Sequence, residues 1–119
     1  MNNFMFNKTL IIGIGLIGSS IARSLKDNNI ASTIYGLDNN IDNIRKCEEL
    51  DIVSTCKRSI EEFSMQFDLI IICTPLSSYK KIFSSINKFV KETTLVTDVG
   101  STKVSVIKDY KDCCNNSFV

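Results

Sequence analysis

Histidine is missing from all 119 residues, which removes the side chain that most often works as an acid or base near neutral pH. Any mechanism that needs an imidazole must draw it from another segment or another chain. Neither sign of charge is in excess, with 14 Lys and Arg against 13 Asp and Glu. No basic field therefore points to nucleic acid or an anionic membrane, which leaves a small molecule as the expected partner. The five cysteines, Cys47, Cys56, Cys73, Cys113 and Cys114, lack the paired C-x-x-C spacing of a zinc site or a thioredoxin-like motif. They read as reduced thiols of a cytoplasmic protein, with Cys73 a core residue, and nothing else supports a redox role for the adjacent Cys113 and Cys114. No apolar run approaches the ~18 residues of a membrane-spanning helix. Leu10 to Ile17 has the length of a signal-peptide core, but only Lys8 precedes it and glycines interrupt it.

What remains is ordinary globular material, 44% hydrophobic and 23% charged, long enough for one domain with a usable core. Thr9 to Ile14 is a continuous apolar run, the mark of a strand buried on both faces. Ile17, Ile21 and Leu25 follow at helical spacing until Asn28 and Asn29. Ser32 to Leu37 reads as a second strand, Asn40 as the cap of a helix carrying Ile41, Ile44, Cys47 and Leu50, and Ile52 to Thr55 as a short third strand. Asp68 to Cys73 is the clearest central strand, and Pro75, the only proline, lies just past it. Ser77 or Ser78 caps a helix with Ile82, Phe83 and Ile86. Thr93 to Val99 forms a fifth strand, and Thr102 to about Tyr110 another helix. Strands alternating with helices predict an α/β fold, a doubly wound, mainly parallel Rossmann-like sheet in a single domain. Ser117 to Val119 begins a further strand, so the expectation is one nucleotide-binding domain over residues 1–119, cut short at its C-terminal end.

Three of the five glycines crowd into Gly13-Ile14-Gly15-Leu16-Ile17-Gly18. The G-x-G-x-x-G pattern is weak alone, but here it joins a buried strand to an amphipathic helix. Gly13 permits the tight turn, Gly15 a close approach of backbone to pyrophosphate, and Gly18 close helix packing. The free N–H groups of this loop, with Leu16 and Ile17 in the first helical turn, face the phosphates together with the helix dipole. Asp38, 20 residues after Gly18, stands where an acid accepts the adenosine ribose hydroxyls, which favours NAD. It also reads as a cap on the turn at Asn39 and Asn40. For NADP, Arg45 on the next helix is the group expected to meet the 2′-phosphate. Thr74 and Pro75 after the fourth strand, and Gly100 and Ser101 after the fifth, fall at the ends of strands where such sheets bind ligands. Thr74 is alternatively a turn residue, and Ser101 or Thr102 a helix cap.

Four segments together, GIGLIGSSIARSLK, the GLD ending at Asp38, CTPLSSY from Cys73 to Tyr79 and TDVGSTK from Thr97 to Lys103, resemble the N-terminal domain of prephenate/arogenate dehydrogenases of tyrosine biosynthesis. The D-x-G-S-x-K block at Asp98, Gly100, Ser101 and Lys103 is the most specific of them. The resemblance implies an NAD(P)-dependent oxidative decarboxylation of prephenate or arogenate. It gives Ser101 a catalytic place near the nicotinamide, beside a histidine absent from this chain. It also implies a helical domain, not in this sequence, that supplies the substrate-binding arginine and the dimer interface. A homodimer is expected only with that domain, and the chain alone is expected to be catalytically incomplete. Two alternatives stand beside this one: the cofactor domain of another two-domain dehydrogenase, against which TDVGSTK counts, and a nucleotide-binding module without chemistry.

Overall fold

The computed structural model describes residues 5–99 and 117–118, and the strands among them join in one six-stranded sheet. In chain order the elements are β1 (Phe6–Ile12), α1 (Leu16–Asp27), β2 (Ala31–Leu37), α2 (Ile41–Glu49), β3 (Thr55–Lys57), β4 (Leu69–Ile72), α3 (Tyr79–Ile86), β5 (Leu95–Asp98) and β6 (Ser117–Phe118). Every pairing is parallel, in the order β3-β2-β1-β4-β5-β6. This is the doubly wound Rossmann-like arrangement that alternating strands and helices predict.

The apolar runs of β1 and β4 serve both faces of the sheet because successive side chains point to opposite sides. Leu10, Ile12, Ile70 and Ile72 face Tyr79, Phe83 and Ile86 of α3, with Ile60, Phe63 and Phe67 beside them. Ile11, Leu69 and Ile71 face Ala22 and Leu25 of α1 and Ile44 and Cys47 of α2. On the first face Tyr35, Phe63 and Phe67 meet edge to face, with centroids 5.5–5.8 Å apart, the arrangement their ring quadrupoles favour. No helix among the described residues is long and apolar enough to cross a membrane.

Several boundaries differ from the sequence reading. β1 starts at Phe6 and stops at Ile12, because the turn begins at Gly13. β3 is Thr55–Lys57 rather than Ile52 to Thr55; Ile52 and Val53 are apolar because they seal the α2 side of the core ahead of the strand. In α1 the buried line is Gly18, Ala22 and Leu25, with Ile21 only partly buried and Ile17 58% exposed. Gly18 packs closely on Gly13, and Leu16 and Ile17 fall on the exposed side of the first turn. Leu50 is exposed at the end of α2. Ser78 precedes α3, but its hydroxyl does not cap the helix, since a 3-10 turn at Leu76–Ser78 runs straight into it. The helix expected over Thr102 to Tyr110, and Cys113 and Cys114, lie outside the described residues.

At the opposite end of the sheet, Asp68 fastens the start of β1 to the start of β4. Its Oδ2 accepts the N–H groups of Asn7 and Lys8 at 3.2 and 2.9 Å, and Oδ1 pairs with the Lys91 ammonium at 2.8 Å. Partial burial pushes the Asp68 carboxyl up, but the Lys91 contact and the two backbone donors outweigh it and hold it below the usual range. A carboxyl lowered in the folded state contributes stability that is present above its unfolded pKa and lost as pH falls through the folded one. Asp68→Asn should therefore cost about 1 kcal/mol at neutral pH. In urea melts repeated at stepwise lower pH, the gap between variant and parent should close once the carboxyl is protonated; a gap that persists there would contradict this origin.

Candidate nucleotide site

The order of the sheet reverses between β1 and β4, so the chain leaves their carboxyl ends in opposite directions and a crevice opens between them. A cavity of about 670 Å³ occupies it, lined among others by Gly13, Gly15, Asp38, Arg58, Thr74, Pro75 and Lys81. Gly13, Gly15, Asp38, Thr74 and Pro75 are thus brought together as expected, from three separate strand ends.

The three glycines of the loop have three different reasons to be glycine. Gly13 holds φ +94°, and a Cβ there would come within 2.9 Å of Thr74 Cγ2 and 3.1 Å of the Cys73 backbone. Its N–H donates to the Leu37 carbonyl at 2.7 Å, which ties the loop to β2. A Cβ on Gly18 would overlap the Gly13 carbonyl oxygen, so the first turn of α1 rests directly on the loop. Gly15 is unlike both, since a Cβ there would meet nothing among the described residues within 4 Å. Nothing among the described residues asks for glycine at this position.

Gly15 is also the N-cap of α1, with no side chain capping the helix and no acidic residue in the first turn. The first N–H groups of a helix have no intrahelical acceptor, and the helix dipole adds partial positive charge there. Leu16 and Ile17 thus offer backbone to an anion while their side chains, 88% and 58% exposed, stand outward. At the other rim, Thr74 Oγ1 is a buried oxygen with no hydrogen-bond partner among the described residues. Thr74 and the uncapped helix start at Gly15 line the same cavity.

Asp38, at the end of β2, does more than wait for a ribose. Its Oδ2 accepts from Ile14 N at 2.8 Å and Asn43 Nδ2 at 3.2 Å, while Oδ1 accepts from Asn40 N at 2.9 Å. The carboxylate pins the glycine loop and the turn into α2 at once, as the turn-cap reading expects, and it also lines the cavity. Asn40 caps α2 as expected, accepting from Asp42 N and Asn43 N.

Other expectations fare differently. Arg45 points off the cavity on the exposed side of α2. The arginine on the cavity wall is Arg58, which no motif singles out. Cys73 is half-buried and packs against the core as expected; burial, then the nearby Asp98 charge, pushes its thiol up to about 11, so it does not supply a thiolate. Gly100 and Ser101 lie outside the described residues. The strand that leads to them ends at Asp98, where the Tyr79 hydroxyl donates to Oδ2 at 2.8 Å and Val99 N to the Ile72 carbonyl at 3.2 Å. This contact links α3 to the end of β5, a coupling no local pattern announces.

Known proteins are similar to this chain over most of its length. The chain is 29% identical to a cyclohexadienyl dehydrogenase of Zymomonas mobilis over 115 residues, covering 97% of this chain and 39% of that protein. It is 35% identical to a prephenate dehydrogenase of Lactococcus lactis over 103 residues, 85% of this chain and 28% of that one. The chain thus spans well under half the length of these relatives. Among solved structures, the prephenate dehydrogenase of A. aeolicus in complex with hydroxyphenyl propionate and NAD+ superposes with a TM-score of 0.84 at 30% identity, over 94% of this chain and 40% of that one. The family described as prephenate dehydrogenase, nucleotide-binding domain, matches residues 21–119, and the chain belongs to it.

Proposed function

We propose that this chain binds NAD in the crevice between β1 and β4, and is the cofactor-holding part of a prephenate or arogenate dehydrogenase. Gly15 carries the reading: its backbone faces open cavity at the positive end of α1 and has no structural reason to be glycine. The family supports the chemistry, as does the NAD+ in the A. aeolicus relative. When bound, the nicotinamide supplies the hydride acceptor for an oxidative decarboxylation that aromatises the substrate ring.

The chain's own residues supply position and electrostatics. The Gly13–Gly15 turn and the first turn of α1 hold the pyrophosphate by backbone N–H groups, without a cationic side chain. Three of the roughly four acceptor sites of Asp38 are already taken, which leaves room for one ribose hydroxyl. Thr74 Oγ1 gains its missing partner along the cofactor, with Pro75 beside it. By the resemblance, Gly100 and Ser101 belong to the nicotinamide end of the site, outside the described residues. The aromatising step needs a base for the substrate hydroxyl, and no histidine among these 119 residues supplies one.

Titration of NADH against the chain, followed by nicotinamide fluorescence, should show saturable binding. Asp38→Ala should weaken it by roughly tenfold or more, because hydrogen bonds to a charged acceptor contribute about 1.5–3 kcal/mol each. Undiminished binding in the variant would remove Asp38 from the site, and no binding to the parent chain would end the reading.

A further inference from the structure

The strand after α2 places a cation beside the ribose acid. β3 ends at Lys57, whose carbonyl accepts the Asp38 N–H at 3.0 Å, so the next residue, Arg58, emerges next to the tip of β2. Its backbone is firmly held: Glu62 Oε2 accepts from Arg58 N at 3.1 Å and from Ser59 N at 3.0 Å, completing a capping box. The side chain is exposed and lines the same cavity as Asp38, Asn39 and Asn43. No hydrogen bond or ion pair holds its guanidinium among the described residues. A fixed backbone carrying an uncommitted guanidinium into a ligand cavity is poorly explained by folding, because nothing in the fold is stabilised by it.

Charge around the cavity is balanced, with Asp38 and Glu61 against Arg58 and Lys81. Asp38 already accepts from three donors, and Glu61 is engaged by the Ser59 hydroxyl. Both acids are therefore partly satisfied, whereas Arg58 retains all its donors, in the planar fork that suits a phosphate.

We propose that Arg58 is the specificity-determining residue at the adenosine ribose: its guanidinium meets the 2′-phosphate, so that the chain accepts NADP as well as NAD. The inference rests on the dinucleotide reading above. Asp38 still repels the extra phosphate, so NADPH binds the parent chain more weakly than NADH, by about tenfold or less, and Arg58 keeps that gap small.

NADH and NADPH titrated by fluorescence against the full chain, its Arg58→Ala variant and its Arg58→Lys variant test this. The alanine variant should raise the NADPH Kd about tenfold while the NADH Kd moves less than about threefold, and lysine should restore part of the loss. The NADPH affinity of the parent should also fall more steeply with salt than its NADH affinity. An unchanged thermal midpoint in the alanine variant shows that the loss is not one of folding. NADH binding with no measurable NADPH binding to the parent, or equal loss of both cofactors in the variant, or no change in either, overturns the assignment while leaving the dinucleotide site intact. A parent chain that binds neither cofactor overturns both.

Discussion

Gly15→Ala is expected to leave the fold as stable as before and to reduce NADH affinity by about a hundredfold or more. The two halves of that expectation come from one observation. A methyl group at position 15 meets no atom of the described residues within 4 Å, and the residue sits at φ −89° and ψ −153°, in extended backbone open to alanine. The thermal midpoint should therefore stay within roughly two degrees of the parent. The same methyl enters the cavity at the mouth of α1, between the helix N–H groups and any phosphate they hold. Pushing the phosphate away lengthens every contact made there, and charge-assisted hydrogen bonds weaken steeply with distance and angle. A variant that binds normally would mean that the backbone at Gly15 does not touch the ligand. A variant that unfolds would mean that the space around Gly15 is not free.

The loop and the sheet were legible in the sequence because their signals are local and periodic. Leu10 to Ile12 and Leu69 to Ile72 are apolar without a break, and only a strand covered on both faces uses such a run. The G-x-G-x-x-G spacing could be read because Gly13 and Gly18 each meet a constraint within a few residues of themselves or on an adjacent strand end, and Gly15 stands between them in the same short pattern. Asn40 was readable for the same reason, since its cap acts two and three residues away.

The contacts that escaped are those in which the partner is remote. Tyr79 reaches Asp98 across 19 residues, and both lie in motifs whose wording says nothing of their meeting. Arg58 comes to the cavity because β3 lies beside β2, a fact of sheet order rather than of the R-S-I-E-E segment itself. Arg45 was the plausible cation on sequence because it follows Asp38 closely, yet helical geometry carries it to the outer face of α2. The aromatic trio of Tyr35, Phe63 and Phe67 unites β2 with a stretch that has no period, so nothing short of the fold could have assembled it. The extent of β3 was misjudged for a related reason. Ile52 and Val53 are as apolar as a strand, but their partners are the residues beneath α2.

Gly18→Ala should behave in the opposite way to Gly15→Ala, losing stability first and binding as a consequence. The added methyl would overlap the Gly13 carbonyl oxygen and crowd the Gly13 carbonyl carbon at 3.1 Å and Ile11 Cγ2 at 3.4 Å. Backbone cannot step aside as a flexible side chain can, so either α1 lifts off the loop or the loop leaves β1. Lifting the helix uncovers the packing of Ala22 and Leu25 against Ile11 and Ile71, and overpacking of this kind costs about 1–3 kcal/mol or more. For a domain of this size that corresponds to a drop in thermal midpoint of roughly 10 °C. NADH affinity should fall with it, because the N-terminus of α1 delivers its N–H groups to the crevice only while the helix stands against Gly13. Thermal melts with and without saturating NADH separate the two variants: cofactor should raise the midpoint of the parent and fail to raise that of Gly15→Ala, whereas Gly18→Ala should start low even without cofactor. A Gly18→Ala chain as stable as its parent would show that the first turn of α1 does not rest on the loop, and the account of how the helix is aimed would fall with it.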